Sequence, residues 1–161
     1  MLAAIHLPAL AGTLYIGKVA AYRDAAKVQQ AVREECQMDT RLPAMIRGAI
    51  GKLSLFPEIN LVDEPLADNR ERALTVTIVS LDVPPGGGWS SSPKFMKIKA
   101  MLYKNGVTTG EFVQSARTSH GANLYKHSLS NCQIVDHLAD QLSEQVAAWL
   151  KKTGQHAATN N

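Results

Sequence analysis

The chain has 161 residues, 45% of them hydrophobic, which is enough for one domain with a sizeable buried core. Its net charge of +3, from 17 basic and 14 acidic residues, is too small to indicate a nucleic-acid-binding protein or one drawn strongly to anionic membranes. No segment reaches the roughly 18 consecutive apolar residues that a membrane-spanning helix needs.

Residues 1–12, MLAAIHLPALAG, resemble the end of an export signal, although the positively charged start of such a signal is missing. Ala9 and Ala11 fit the small-x-small pattern of a cleavage site. Leu10-Ala11-Gly12 matches the first three positions of a bacterial lipobox, but Thr13 replaces the cysteine that would carry the lipid. The pattern predicts a periplasmic or envelope-associated protein and does not support lipid anchoring. A buried amino-terminal strand or turn is the other interpretation of this segment.

The first half of the chain is predicted to contain two helices between two strands. β-Forming residues favour a strand over 13–22, and apolar residues at helical spacing favour a helix over 23–37. A second apolar stripe predicts a helix that ends near 53, with Pro43 confined to its first turn. A short strand is expected at 59–62.

The second half begins with three predicted strands, over 72–83, 94–104 and about 107–118. In the first of them, Leu74, Val76, Ile78 and Ser80 share one face. Asn105-Gly106 predicts a two-residue hairpin between the last two strands, because both positions accept a positive φ. The register at 105–112 stays open, since Gly110 is a candidate for a β-bulge.

A capping box, Ser130-x-x-Gln133, predicts the start of the last helix, and Gly154 is its expected end. Residues 154–161 are then a flexible tail, and 13–153 form a single domain after the signal-like segment 1–12. This order of elements predicts an α+β fold with a mixed or antiparallel sheet of four to five strands and helices packed on one face.

Cys36 and Cys132 are predicted to form a disulfide. They lie 96 positions apart in two predicted helices and do not form a metal-binding pattern. In an oxidising compartment two such cysteines pair, whereas in the cytosol each would be a buried thiol. Pairing requires the two helices to lie side by side.

The order and patterning of these elements resemble small bacterial envelope lipoproteins whose cores are like the amino-terminal domain of TolB and the curli-secretion lipoprotein. The resemblance spans about residues 13–152 and implies a non-catalytic role in envelope assembly or protein interaction. It is carried by the strand near Leu14–Val19, the helix LPAMIRGAIGKL at 42–53, the strand INLV at 59–62, the strand 74–81, the hairpin 96–112 and the final amphipathic helix.

Five residues are candidates for contact with a partner. Lys97, Lys99 and Tyr103 alternate onto the face of their strand that is expected to meet water, and Lys94 lies at its start. Trp89 lies in the Gly/Ser-rich loop before that strand. These residues favour a protein partner or a homo-oligomer, with weak contact to an anionic membrane surface as a further option.

Two other functions remain open at this stage. A cytosolic enzyme or small-molecule-binding protein would use the loops 86–95 and 119–127 as pocket walls. A weak nucleic-acid-binding protein would use the lysine-bearing strand, but such proteins normally add several stacking rings, and Tyr103 is the only one expected there. No motif indicates a catalytic group, a metal or a cofactor. The favoured prediction is a non-enzymatic envelope domain that acts through protein–protein contact.

Overall fold

A computed structural model describes residues 12–83, 93–118 and 130–159 of the chain. Within these residues, six strands form one mixed sheet and three α-helices pack against it. This arrangement confirms the predicted α+β class. The strands are β1 (Thr13–Gly17), β2 (Ala21–Tyr22), β3 (Glu58–Val62), β4 (Arg72–Asp82), β5 (Phe95–Lys104) and β6 (Val107–Arg117); the helices are α1 (Gln30–Cys36), α2 (Met38–Lys52) and α3 (Asn131–Thr159), with a 3-10 turn at Ala25–Lys27.

The sheet has a parallel half and an antiparallel half, in the order β3-β1-β4-β5-β6. β1 runs parallel to both β3 and β4, and the short β2 also pairs with β4. β4, β5 and β6 form an antiparallel meander. Asn105 and Gly106 have φ values of 51° and 77°, which confirms the two-residue hairpin between β5 and β6.

A bulge in each of two strands sets which side chains face the helices. In β6, Leu102 pairs with Gly110 and Tyr103 pairs with Thr108, so the extra residue is Thr109 rather than the glycine beside it. In β4, Ile78 pairs with Ile98 and Ser80 pairs with Lys97, which leaves Val79 as the extra residue.

The β4 bulge overturns one predicted orientation. Leu74, Val76 and Ile78 are buried as expected, but the extra residue shifts the alternation by one, so Leu81 is buried instead of Ser80. A one-residue change of phase moves every later side chain of the strand to the opposite face.

The segment 13–22 forms two short strands, β1 and β2, rather than one. The residues between them are fixed by a hydrogen bond to α2 that depends on Pro43. Pro43 is the sixth residue of α2, so the prediction that it lies in the first turn is wrong. Because proline has no N–H, the carbonyl of Asp39 lacks its usual helical donor. That carbonyl instead accepts the N–H of Ala20 at 2.7 Å, which ties the chain between β1 and β2 to the helix.

The segment 23–37 is also divided. After the 3-10 turn, Val28 and Gln29 have extended ψ values of 131° and 130° before α1 begins. Gln37 then adopts a left-handed conformation, φ 46° and ψ 44°, and turns the chain directly from α1 into α2. The predicted single helix is therefore a short turn, a break and a seven-residue helix.

α2 and α3 place their apolar stripes against the sheet, as helical spacing predicted, and bury most of each stripe, with Met45, Ala49 and Trp149 partly buried. Leu53 is an exception, since it follows the end of α2 and is 38% exposed. The apolar side chains with at most 1% exposure are Met38, Leu42, Ile46 and Ile50 of α2 and Ile134, Val135, Leu138, Ala139, Leu142, Val146 and Leu150 of α3.

The two ends of α3 differ in how well local signals predicted them. At the start the capping box is formed, because Ser130 donates its N–H to Oε1 of Gln133 at 2.8 Å and Gln133 returns its N–H to Oγ of Ser130 at 3.3 Å. At the other end the helix continues through Gly154 to Thr159, so Gly154 is not its stop.

Tyr22 gives the fold a specific response to alkaline pH. Burial raises the pKa of Tyr22, and Asp39 raises it further, against smaller opposing effects of Arg33 and of the amides of Asp39 and Met38. Its hydroxyl makes no hydrogen bond of normal geometry within the described residues. Because the folded state prefers the protonated phenol, this contribution to stability is complete below the unfolded pKa of 10.0 and is lost as the pH rises through the folded value.

We therefore expect urea unfolding midpoints of the wild type and of Tyr22→Phe to run in parallel from pH 7 to 9. Above about pH 10 the wild type should lose stability faster, because the variant lacks the Tyr22 phenol and cannot lose its proton. Parallel curves up to pH 11 would show that Tyr22 ionises as easily in the folded chain as in the unfolded one.

Candidate functional site

Cys36 and Cys132 form the predicted disulfide, which joins the last residue of α1 to the first turn of α3 with a Cα–Cα distance of 5.1 Å. Cys36 is 1% exposed. Beside the disulfide, Arg41 of α2 forms an ion pair with Asp136 of α3, with Nη1 2.9 Å from Oδ1 and Nη2 3.0 Å from Oδ2. All three helices are therefore connected at this end of the helical layer.

The helices cover one face of the sheet, and alternation leaves the other set of side chains on the opposite face. We call this surface the outer face. Most of its side chains are polar or charged, and a few are apolar. Its residues on the antiparallel strands are Thr75, Thr77, Ser80, Phe95, Lys97, Lys99, Met101, Tyr103, Glu111, Val113, Ser115 and Arg117.

Three of the predicted contact residues lie together on the outer face. Lys97, Lys99 and Tyr103 alternate along β5 and are all half-buried. Nζ of Lys99 lies 3.1 Å from Oε2 of Glu111, a diagonal cross-strand ion pair. This pair offsets part of the positive charge that the sequence suggested for this strand.

Lys94 does not belong to this surface, which corrects its assignment as a contact residue. It is 2% exposed and has the same phase as Met96 and Ile98, which are fully buried. Its backbone continues the pairing of β5 with β6, since its N–H donates to Oγ1 of Thr118 at 3.1 Å and its carbonyl accepts the N–H of Thr118 at 3.0 Å. Alternation alone would have placed Lys94 inward. Trp89 lies outside the described residues.

The outer face also has apolar members, which were not among the predicted contact residues. Phe95 and Met101 have the same phase as Lys97 and Lys99, and Val113 lies directly opposite Lys99 on β6 with 39% exposure. The sequence contains the information needed to find them, because alternate residues of a strand share a face. Counting in steps of two from Lys97 reaches Phe95 in one direction and Met101 in the other. The outer face therefore offers apolar contact area as well as charge.

β6 is an edge strand of the sheet in the described part of the chain. Thr118 directs its N–H toward β5, so alternation turns the N–H groups of Glu111, Val113 and Ser115 away from β5. The strand carries no proline or lysine, the residues that commonly protect an edge from pairing with another strand. Its regular part, from Gly110 to Arg117, is available as a template for a further strand.

A cleft of about 240 Å³ opens at the end of the sheet, between the last turns of α3 and the hairpin end of β5. We call it the end cleft. It is lined by Phe56, Arg72, Leu102, Lys104, Leu150 and Gly154, together with a few neighbouring side chains. Leu102 and Leu150 point between the sheet and the helices, whereas Tyr103, which also lines the cleft, belongs to the outer face.

No group of three His, Cys, Asp or Glu side chains that could hold a metal ion occurs within 12–83, 93–118 and 130–159. In those same ranges the structure contains no helix with the length and hydropathy needed to cross a membrane. The loop positions 86–92 and 119–127, proposed above as pocket walls, lie outside the described residues.

These features define an α+β domain with a mixed sheet, helices on one face and a disulfide between the first and last helices. No protein-family model and no curated protein sequence matches the chain. Solved structures do match, including a DUF330 protein from Xanthomonas campestris with a TM-score of 0.62 and 11% identity, covering 97% of this chain and 93% of that one.

Two structures of the PelC dodecamer from Paraburkholderia phytofirmans match with TM-scores of 0.53 and 0.55 and 8% identity. They cover 85% of this chain and 91% and 90% of theirs. A rare lipoprotein B from Shewanella oneidensis aligns with a TM-score of only 0.43, at 11% identity, over 92% of this chain and 98% of its own, and supports no argument. The DUF330 protein and PelC confirm the predicted resemblance at the level of the fold alone.

Proposed function

We propose that this chain is a non-enzymatic domain of the bacterial periplasm or envelope that acts through protein–protein contact. The observation that carries the proposal is the disulfide between Cys36 and Cys132. Disulfides persist in oxidising compartments and are rare in the cytosol. The signal-like segment 1–12 supports the same compartment independently, although Thr13 stands where a lipid-bearing cysteine would be.

The contact surface that we propose is the edge strand β6 together with the adjoining outer face, and the partner is a second copy of this chain. A strand edge with outward-facing N–H and C=O groups pairs with another strand through backbone hydrogen bonds, and side chains on one face then provide specificity. Val113 and Met101 supply apolar area next to that edge, and Lys99 and Glu111 supply one charge of each sign. The dodecamers formed by PelC support self-association as a property of this fold.

The compartment is tested by titrating thiols in protein isolated from its native host, denatured without reduction. We expect no reactive thiol, because both cysteines are in the disulfide. Sequencing the mature amino terminus in the same sample shows whether the segment 1–12 is removed. Two reactive thiols in freshly isolated protein would contradict a periplasmic location.

Self-association is tested by sedimentation velocity on the full chain over a range of micromolar concentrations. We expect oligomers for the wild type and a shift to monomer for Val113→Glu, since a charge on an edge strand opposes pairing. Val113 faces Lys99 across the pair, so the new carboxylate has a cation beside it and the fold should tolerate it.

Val107→Glu is the matched control. It places the same charge on the same strand at a position that is more exposed, 66%, and lies beyond the bulge. It should associate like the wild type. A wild type that stays monomeric at every concentration, or a Val113→Glu variant that associates unchanged, would contradict β6 as the interface.

A further inference from the structure

The end cleft has walls that suit a hydrocarbon chain. Phe56 is 7% exposed and Leu150 is 1% exposed, and Leu102 completes an apolar surface between helix and strand. Gly154 adds no side chain to the helical side of the cleft, which Leu150 and Thr153 line. With a volume of about 240 Å³ the cleft is smaller than most drug-sized sites, so it suits a single chain rather than a folded segment.

The two threonine hydroxyl groups in the wall are already engaged within the protein. Oγ1 of Thr153 donates to the carbonyl of Trp149 at 3.0 Å, and Oγ1 of Thr109 donates to the carbonyl of Leu102 at 3.3 Å. The remaining donors at the cleft are therefore on the two cations, Arg72 and Lys104, and on Tyr103.

Arg72 is incompletely partnered. Its side chain is 19% exposed, its Nε is buried without a hydrogen bond within the described residues, and its ion pair with Glu71 is long, 4.0 Å from Nε to Oε1. A partly buried guanidinium favours a carboxylate that it can bind through two parallel hydrogen bonds. Lys104 is exposed beside it and adds a second positive charge.

We propose that the end cleft binds a small aliphatic carboxylate, with the hydrocarbon chain against Phe56, Leu102 and Leu150 and the carboxylate at Arg72 and Lys104. This charge complementarity selects an anionic amphiphile over a neutral one. The inference does not depend on the proposed function, because the residues that would hold the carboxylate and its chain are not among those proposed for contact with a second copy.

The test is calorimetric titration of the full chain with decanoate at pH 8, where the carboxylate is ionised, with decanol as the neutral analogue. We expect saturable binding at one site and at least tenfold weaker binding of decanol, about the loss caused by removing one charge-assisted hydrogen bond. Arg72→Gln should weaken decanoate binding by about tenfold, whereas Lys97→Gln on the outer face should not change it.

Gly154→Leu should abolish binding, because Gly154 lines the cleft and the leucine side chain would occupy its volume. Replacing glycine within a helix does not weaken the helix. Gly48→Leu is the matched control, since a Cβ at that helical position meets nothing within 4 Å. The proposal is overturned if decanoate does not bind, or if Gly154→Leu binds it as the wild type does. Equal binding of decanoate and decanol would overturn the assigned role of Arg72 and Lys104.

Discussion

Removal of the Cys36–Cys132 disulfide is expected to lower the free energy of unfolding by about 4–5 kcal/mol. The two cysteines are separated by 96 positions, and a cross-link that closes a loop of that length strongly restricts the unfolded chain. Since domains of this size have a total stability of roughly 5–15 kcal/mol, the reduced protein should be close to unfolding.

When the disulfide is reduced, α1 should be the first helix to unfold. This helix has only seven residues, below the length at which a helix is stable alone, and it buries just Val32 and Cys36. α3 is held to the sheet by a long apolar stripe and should keep its place in the reduced protein. We therefore expect amide hydrogen exchange to accelerate at 30–36 before it does in the core of α3.

The measurement is urea unfolding of the wild type with and without a thiol reductant. The double variant Cys36→Ala/Cys132→Ala is the control, because it lacks the cross-link under both conditions and should show one unfolding midpoint. Alanine is preferred to serine at Cys36, since a hydroxyl would be buried there. If reduction does not move the wild-type midpoint, the disulfide does not contribute to stability.

The second large effect is expected at Gly110. A Cβ at this position would lie 3.0 Å from Cζ2 of Trp149 and 3.8 Å from Cβ of Leu102. The indole packs over the glycine and contacts Phe112, with ring centroids 5.5 Å apart. We expect Gly110→Val to cost about 1–3 kcal/mol, because an added side chain must displace the ring from a well-packed site.

A double-mutant cycle with Trp149→Leu separates this clash from an effect on the strand itself. Trp149→Leu should destabilise alone by removing ring contacts, but the double variant should lose less than the sum of the two single variants. Ser115→Val, an exposed substitution on the same strand, controls for the change in β propensity. Additive losses would show that Trp149 is not what excludes a side chain at Gly110.

Features governed by a few neighbouring residues were predicted well. The Asn105-Gly106 hairpin and the capping box from Ser130 to Gln133 both formed as expected, since each depends on groups only one to three residues apart. The apolar stripe of α3 was also predicted, because helical spacing puts these residues on one side whatever they contact. The disulfide was predicted from residue type and compartment rather than from geometry.

The predictions that failed concern positions whose environment is set by distant segments. Gly154 did not end α3, since the cost of a glycine within a helix is only about 1 kcal/mol. The break between β1 and β2 depends on Ala20 meeting the Asp39 carbonyl that Pro43 leaves unpaired. Neither outcome can be predicted from the residues of the local segment alone.

The sequence by itself determined the α+β class, the hairpin, the cap of the last helix and the alternation that turns Lys94 inward. Only the tertiary structure decided the two bulges, the meeting of the two cysteines and the existence of the end cleft. Local patterns depend on backbone preferences and on hydrophobic spacing within one segment. Register, burial of a particular side chain and the shape of a cleft depend on which segments meet, and that is decided when the strands pair and the helices pack on them.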